Sequence, residues 1–206
     1  WQQEGLDIYD YHWDWFTGEE ALDLDPREYI PVNFGMLPGF DEEIIEQTDR
    51  YVIKRQWNGI VTKALLEGTA HGTRASMDEY MDFPVKTRED FQALKERYHP
   101  SHQSRYPLHW NNFLLPGWKD RKHPLVLGRN CSTLGFYWRA REWMGTEGLS
   151  YAWYDQPDLM HEMMEFYADF IIETSRPVLE KIRVDVPAAC QQNPIQAGKK
   201  DAQLAF

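Results

Sequence analysis

Cysteine is scarce: the 206 residues hold only Cys131 and Cys190, with no CxxC pair. A disulfide framework is thereby excluded, and a reduced, cytoplasmic protein is the expectation. No stretch reaches the ~20 consecutive apolar residues of a membrane-spanning helix. No charged-then-apolar leader opens the sequence. Basic residues are the minority charge, 22 Lys and Arg against 33 Asp and Glu, for a net −11. That balance argues against nucleic acid or an anionic membrane as partner. P-loop, GxGxxG and GxSxG signatures are all missing.

Aromatic residues, by contrast, make up 15% of the chain and include nine Trp, within a 42% hydrophobic composition. A disordered acidic protein does not carry such a load, so the acids belong to the surface of a folded protein. Residues 1–28 form an acidic, aromatic extension containing DIYDYHWDWF. Its His12, flanked by Asp10 and Asp14, has metal-like chemistry, but side chains two apart share a face only in a strand. The irregular stretch 187–206 loses the apolar periodicity, and the chain opens on Trp1, so truncation at both ends is expected.

Between these ends the local signals are clearer. Ile30–Asn33 reads as a short strand followed by a Gly/Pro loop, FGMLPGF, after which Asp41 is expected to cap a helix to about Gln47. YVIKRQW and IVTKALL flank Asn58-Gly59, the signature of a hairpin with a type I′ turn. Thr87 and Asp90 make a capping box for a helix over 87–98. Residues 99–123 look like loop. Pro157 opens the longest helix, to about Lys181, with Leu159, Met163, Phe166, Phe170, Ile171, Val178 and Ile182 on one stripe and Pro177 as a kink or boundary. Within it, His161-Glu162-Met163-Met164-Glu165 resembles HExxH without its second His, so paired imidazole ligands are missing and Glu165 reads as a solvated face.

Pro124 to Gly145 (PLVLGRNCSTLGFYWRAREWMG) carries the most chemistry. A continuous apolar run fits a strand buried on both faces. Ser132 and Thr133 offer N-caps, an Arg-studded aromatic helix follows, and Gly145 stands where a helix-ending glycine belongs. With Ile182–Val186 as the next strand, this is a βαβ unit with a parallel pair. Such turns lie at the carboxyl ends of strands, where sites are built. The candidate substrate-binding residues are therefore Asn33, Arg129, Thr133 and Tyr137, with Arg129 able to meet a carboxylate or phosphate. Arg139 and Arg141 are expected to pair with Glu142 or surface acids. Cys131 could be a helix-start nucleophile, but a small buried thiol is the simpler reading.

The order PVNFGMLPGF, the Asn-Gly hairpin, FPVKTREDFQALKERY, the strand into STLGFYW and then EGLSYAWYDQPDLMHEMMEFYADF resembles the uroporphyrinogen decarboxylase superfamily, which includes cobalamin-linked methyltransferases. The resemblance implies, for residues 29–186, the first part of a TIM (β/α)8 barrel, α/β in class, with an N-terminal extension and a β-hairpin insertion. STLGFY resembles the family's TL-x-x-Y segment and puts Tyr137 at its substrate-contacting tyrosine. PVNFGMLPGF resembles the first strand and loop, with Met36 and Phe40 where the decarboxylases carry two carboxylate-holding arginines. The resemblance thus implies a diverged or corrinoid-linked methyltransferase ahead of a true decarboxylase of tetrapyrroles. Zinc, held by a His-x-Cys pair and a later Cys lying downstream, or a corrinoid would serve the full-length protein. The partners implied are a small molecule, a tetrapyrrole or a corrinoid protein, and a homo-oligomer is compatible. The competing expectation is a non-catalytic partial barrel whose open apolar strand edge invites association.

Overall fold

A computed structural model describes residues 28–66, 69–70, 73–74, 77–128 and 135–187. The extension before Glu28, with its His12 group, and the tail after Pro187 lie outside the described residues. A parallel sheet, an antiparallel sheet with a small two-stranded companion, and a set of helices organise the rest. β1 (Glu28–Ile30), β8 (Leu125–Leu127) and β9 (Val186–Pro187) form a parallel sheet in that spatial order. Glu28 registers with Leu125 and Val126 with Val186. All three residues of β8 are buried, as expected of a central parallel strand covered on both faces. The first strand is displaced from its expected place: it ends at Ile30, because Pro31 has no N–H to continue the ladder. The third begins at Val186 rather than Ile182, since Ile182 still accepts its geometry from the preceding helix end, donating to the Val178 carbonyl at 3.0 Å.

Inserted after β1 is an antiparallel sheet larger than a single hairpin: β2 (Glu43–Gln47), β3 (Tyr51–Arg55), β4 (Val61–Leu65) and β7 (Glu79–Asp82), in that order. Short strands β5 (Thr69–Ala70) and β6 (Thr73–Arg74) pair between β4 and β7. The hairpin stands as expected, with Arg55 opposite Val61. Its turn is of another type. Only Gly59 has positive φ, +83°, and its N–H reaches the Gln56 carbonyl at 2.8 Å. Type I′ needs two left-handed residues; one glycine after a tight turn is the longer-loop alternative. The helix expected over 41–47 is strand β2. Thr48 reverses the chain, its Oγ1 accepting from the N–H groups of Arg50 and Tyr51 at 3.2 Å. The β-branched Ile44 and Ile45 then extend along β3, where Arg55 reaches Glu43 at 3.0 Å.

α1 (Arg88–Lys95) has the capping box of Thr87 and Asp90 complete. The supposed loop 99–123 contains α2 (Trp110–Lys119), despite two Asn, a Pro and a Gly in it. Burial overrides propensity there: Trp110, Leu115 and Trp118 face the core, and Tyr106 stacks on Trp110 at 4.9 Å. α3 (Phe136–Asp155) is broken at Gly145, whose φ of 74° ends the first half as the sequence implied. Its N-cap is Gly135, not Ser132 or Thr133, which lie outside the described residues. α4 (Pro157–Leu179) carries the expected stripe and passes Pro177, which falls two residues from its end, where the lost hydrogen bond matters little. Both helices lie between β8 and β9, so the βαβ unit is present. The fold is mixed α/β, and the described strands close no barrel. Among the described residues no helix is long and apolar enough to cross a membrane.

Candidate functional site

The carboxyl ends of β1 and β8 point to one side of the parallel sheet, and the chain leaving β1 builds most of what lies there. Val32, Phe34 and Met36 alternate inward and are buried, whereas Asn33 between them is exposed. This alternation continues a strand-like path beyond the ladder. Asn33 Oδ1 accepts the Gly35 N–H at 2.8 Å, folding the loop on itself.

Two arginines hold this loop by its carbonyls. Arg105, 1% exposed, donates to the carbonyl oxygens of Asn33 and His99, each at 3.0 Å, and to that of Gly35, with its guanidinium over the Phe170 ring. Burial pulls its pKa down to about 10, so it remains a cation at neutral pH. Arg97 donates to the Pro38 and Gly39 carbonyls at 3.1 and 2.7 Å and lies 4.0 Å over the Phe40 ring. Met36 is buried in the core and Phe40 is a platform for Arg97. The cationic residues near this loop therefore serve its backbone from beneath.

A second polar group joins the loop to the first half of α3. Arg139 is buried, pairs with Glu142, stands over the rings of Tyr98 and Tyr167, and reaches the Phe34 carbonyl at 3.5 Å. The expected partner, Glu142, is the one found, but the pair is not a surface one: the guanidinium is buried against two aromatic rings, and only Glu142 keeps some exposure. Burial opposes the Arg139 charge, and the potential of Tyr98, Tyr167 and Glu142 outweighs that and raises its pKa. Burial likewise pushes the Tyr98 hydroxyl up to about 12 and raises Tyr167. Both phenols are hydrogen-bond donors or acceptors at neutral pH, not bases, and Tyr98 accepts the Trp143 indole N–H at 3.0 Å. Glu142 also accepts from Asn58 Nδ2 at 3.2 Å, so the hairpin tip belongs to the same network.

Tyr137 is half-buried at the start of α3, packed on the core and edge-on to Trp138. Arg141 lies 4.8 Å over the Trp138 ring and donates to Thr146 Oγ1 at 2.9 Å. Asn33 and Tyr137 thus sit on the loop and helix that follow neighbouring strands. Arg129 and Thr133, with Cys131, lie outside the described residues. Glu162 of the HExxE motif bridges Lys95 and Gln92 of α1, at 2.5 and 2.6 Å, and Glu165 is exposed. The Lys95 contact lowers the Glu162 pKa. That is a helix-to-helix tie. Among the described residues no group of three or more His, Cys, Asp or Glu is placed to hold a metal. An open depression of about 490 Å³ beside Pro31, lined by Gln103, Ser104, Tyr106, Pro107 and Leu108, carries no charged side chain.

Arg97, Arg105 and Tyr98 were not legible in the sequence as parts of this region. The two arginines bind backbone carbonyls about sixty to seventy positions away, and Tyr98 meets the Trp143 indole forty-five positions on. No family model, curated protein or solved structure matches the chain.

Proposed function

We propose that the chain carries the first βα steps of a (β/α)8 barrel enzyme of the uroporphyrinogen decarboxylase-like superfamily, of the diverged or corrinoid-linked methyltransferase type. Its site lies at the carboxyl ends of the parallel strands. The observation that carries this reading is the strand order. β1, β8 and β9 are parallel and adjacent in the order of the chain, with α3 and α4 crossing between the last two. Barrels of this kind grow by that addition, whereas a doubly wound sheet reverses its strand order. Asn33 and Tyr137 would face a small substrate; Arg129 and Thr133, the other candidates of the sequence, lie outside the described residues. Arg97 and Arg105 are engaged with carbonyls, and Met36 and Phe40 with the core, so the loop after β1 presents no cation to a poly-carboxylate. That favours methyl transfer over decarboxylation of a tetrapyrrole.

The test uses the full-length gene product. It should bind zinc and convert methylcobalamin with a thiol acceptor, read from the corrinoid spectrum. A folded, zinc-free product inert toward methylcobalamin would sink the methyltransferase reading. Release of CO2 from uroporphyrinogen would establish the decarboxylase in its place.

A further inference from the structure

The hairpin tip of the inserted sheet meets the loop after β1 and the first half of α3, and it is held from both. The Phe40 N–H donates to the Trp57 carbonyl at 2.7 Å and Asn58 Nδ2 to Glu142 at 3.2 Å, while the Gln56 N–H closes the tip on itself at the Ile60 carbonyl, 2.8 Å away. Asn58 and Ile60 are accordingly buried, at 9% and 5% exposure. Gly59 is packed so closely that an added Cβ would meet the Phe40 ring at 2.7 Å. Trp57 alone among the tip's large side chains stays open, at 46%. Its benzo edge lies over Gly35, 3.8 Å from where a Cβ would stand, and Asn33 Oδ1 is 3.1 Å from the same point. Gly39 is equally needed, because a Cβ there would stand 2.9 Å from the Trp57 carbonyl. The loop after β1 is therefore bare where the indole rests. Asn33 Oδ1 is turned to Gly35, and its Nδ2 donates to no group among the described residues.

The half-open indole offers a stacking face, and the exposed Asn33 on the loop beneath it offers a hydrogen-bonding amide. We infer that Trp57 is a substrate-contacting residue delivered to the site by the inserted sheet. Its ring supplies a stacking face and Asn33 a hydrogen-bond donor to one small molecule bearing a flat conjugated group and an acceptor. The hydrogen bonds at the tip fix the backbone that carries the ring before binding, so less ordering remains at the encounter. The inference rests on the proposed site at the strands' carboxyl ends and names a wall of it that residues on the parallel-sheet unit do not supply.

Trp57→Ala and Trp57→Phe variants of the full-length gene product, each checked for an unchanged thermal midpoint, would be titrated calorimetrically with aquocobalamin and with uroporphyrin. Asn33→Ala is the second, independent variant, on a residue outside the tip. The expected result is Kd weakened about tenfold or more by Trp57→Ala and partly restored by Trp57→Phe, as loss and return of a stacking face require. A smaller loss is expected for Asn33→Ala. Binding that survives Trp57→Ala unchanged would overturn the role of Trp57 while leaving the proposed function standing. Unmodified protein that binds neither compound would overturn the proposed function, and this inference with it.

Discussion

Replacing Arg105 by Met is the most exacting test of how the loop after β1 is held. The side chain is 1% exposed and makes hydrogen bonds to the carbonyls of Asn33, Gly35 and His99. Bonds from a charged donor contribute about 1.5–3 kcal/mol each, or roughly 5–9 for three, before desolvation. The desolvation that draws the pKa from 12.5 to about 10 offsets about 3 kcal/mol of this, at 1.36 kcal/mol per unit. A net of about 2–6 kcal/mol remains. Met keeps the stem volume and removes only the fork, so the loss should fall in the upper half of that range, with carbonyls left behind unpaired. Arg105→Lys should lie between, because one ammonium cannot cover three carbonyls that diverge. Urea unfolding followed by circular dichroism would measure both. A loss below about 1 kcal/mol for Arg105→Met, with unchanged denaturant dependence, would refute the reasoning: the loop would then owe its shape to Val32, Phe34 and Met36 alone.

Two further outcomes follow from the same geometry. Gly145→Ala drives a Cβ into the Phe83 ring at a φ of 74°. The left-handed strain and the clash should together cost about 2–4 kcal/mol in urea unfolding, and a neutral result would mean that α3 is not broken there. Asp90 is lowered by the Lys86 backbone N–H, Glu162 by Lys95, and Asp185 by the Leu125 N–H. Carboxylates depressed on folding add stability above their unfolded pKa, near 4, and lose it as pH falls through the lower folded values. The triple variant Asp90→Asn, Glu162→Gln, Asp185→Asn should therefore flatten the acid limb of the stability curve between about pH 5 and pH 2, while a curve parallel to the parent's would contradict these contacts.

How much of this could be seen in the sequence depended on whether a signal was local. The capping box at Thr87, the glycine at 145 and the stripe on α4 are written within a few residues of where they act, and each appears as expected. The strand at 125–127 was legible for the same reason, as an unbroken apolar run. Asp41 to Gln47 misled because acids before an apolar pair suit a helix start, and only pairing with Tyr51–Arg55 decides for a strand. α2 was hidden because its stabilising partners, such as Tyr106 on Trp110, act through stacking that overrides poor helix formers. Of the candidate site residues, Asn33 and Tyr137 fall on elements following adjacent strands, a placement that strand order implies. The arginine supports and the Trp57 wall come from segments whose meeting no periodicity encodes.

The pairing of Glu28 with Leu125 has a consequence for how the molecule comes into being. Ninety-seven positions separate these partners in the chain, and synthesis at about 5–20 residues per second leaves β1 without its neighbour for roughly 5–20 s. Through that interval the hairpin of β3 and β4, whose partners are at most fourteen positions apart, can close in microseconds. That hairpin can thus close before the sheet that the insertion interrupts can begin. The edge strand of the inserted sheet, β2, carries Glu43 and Glu46, the kind of charge that discourages edge-to-edge pairing while the first strand waits.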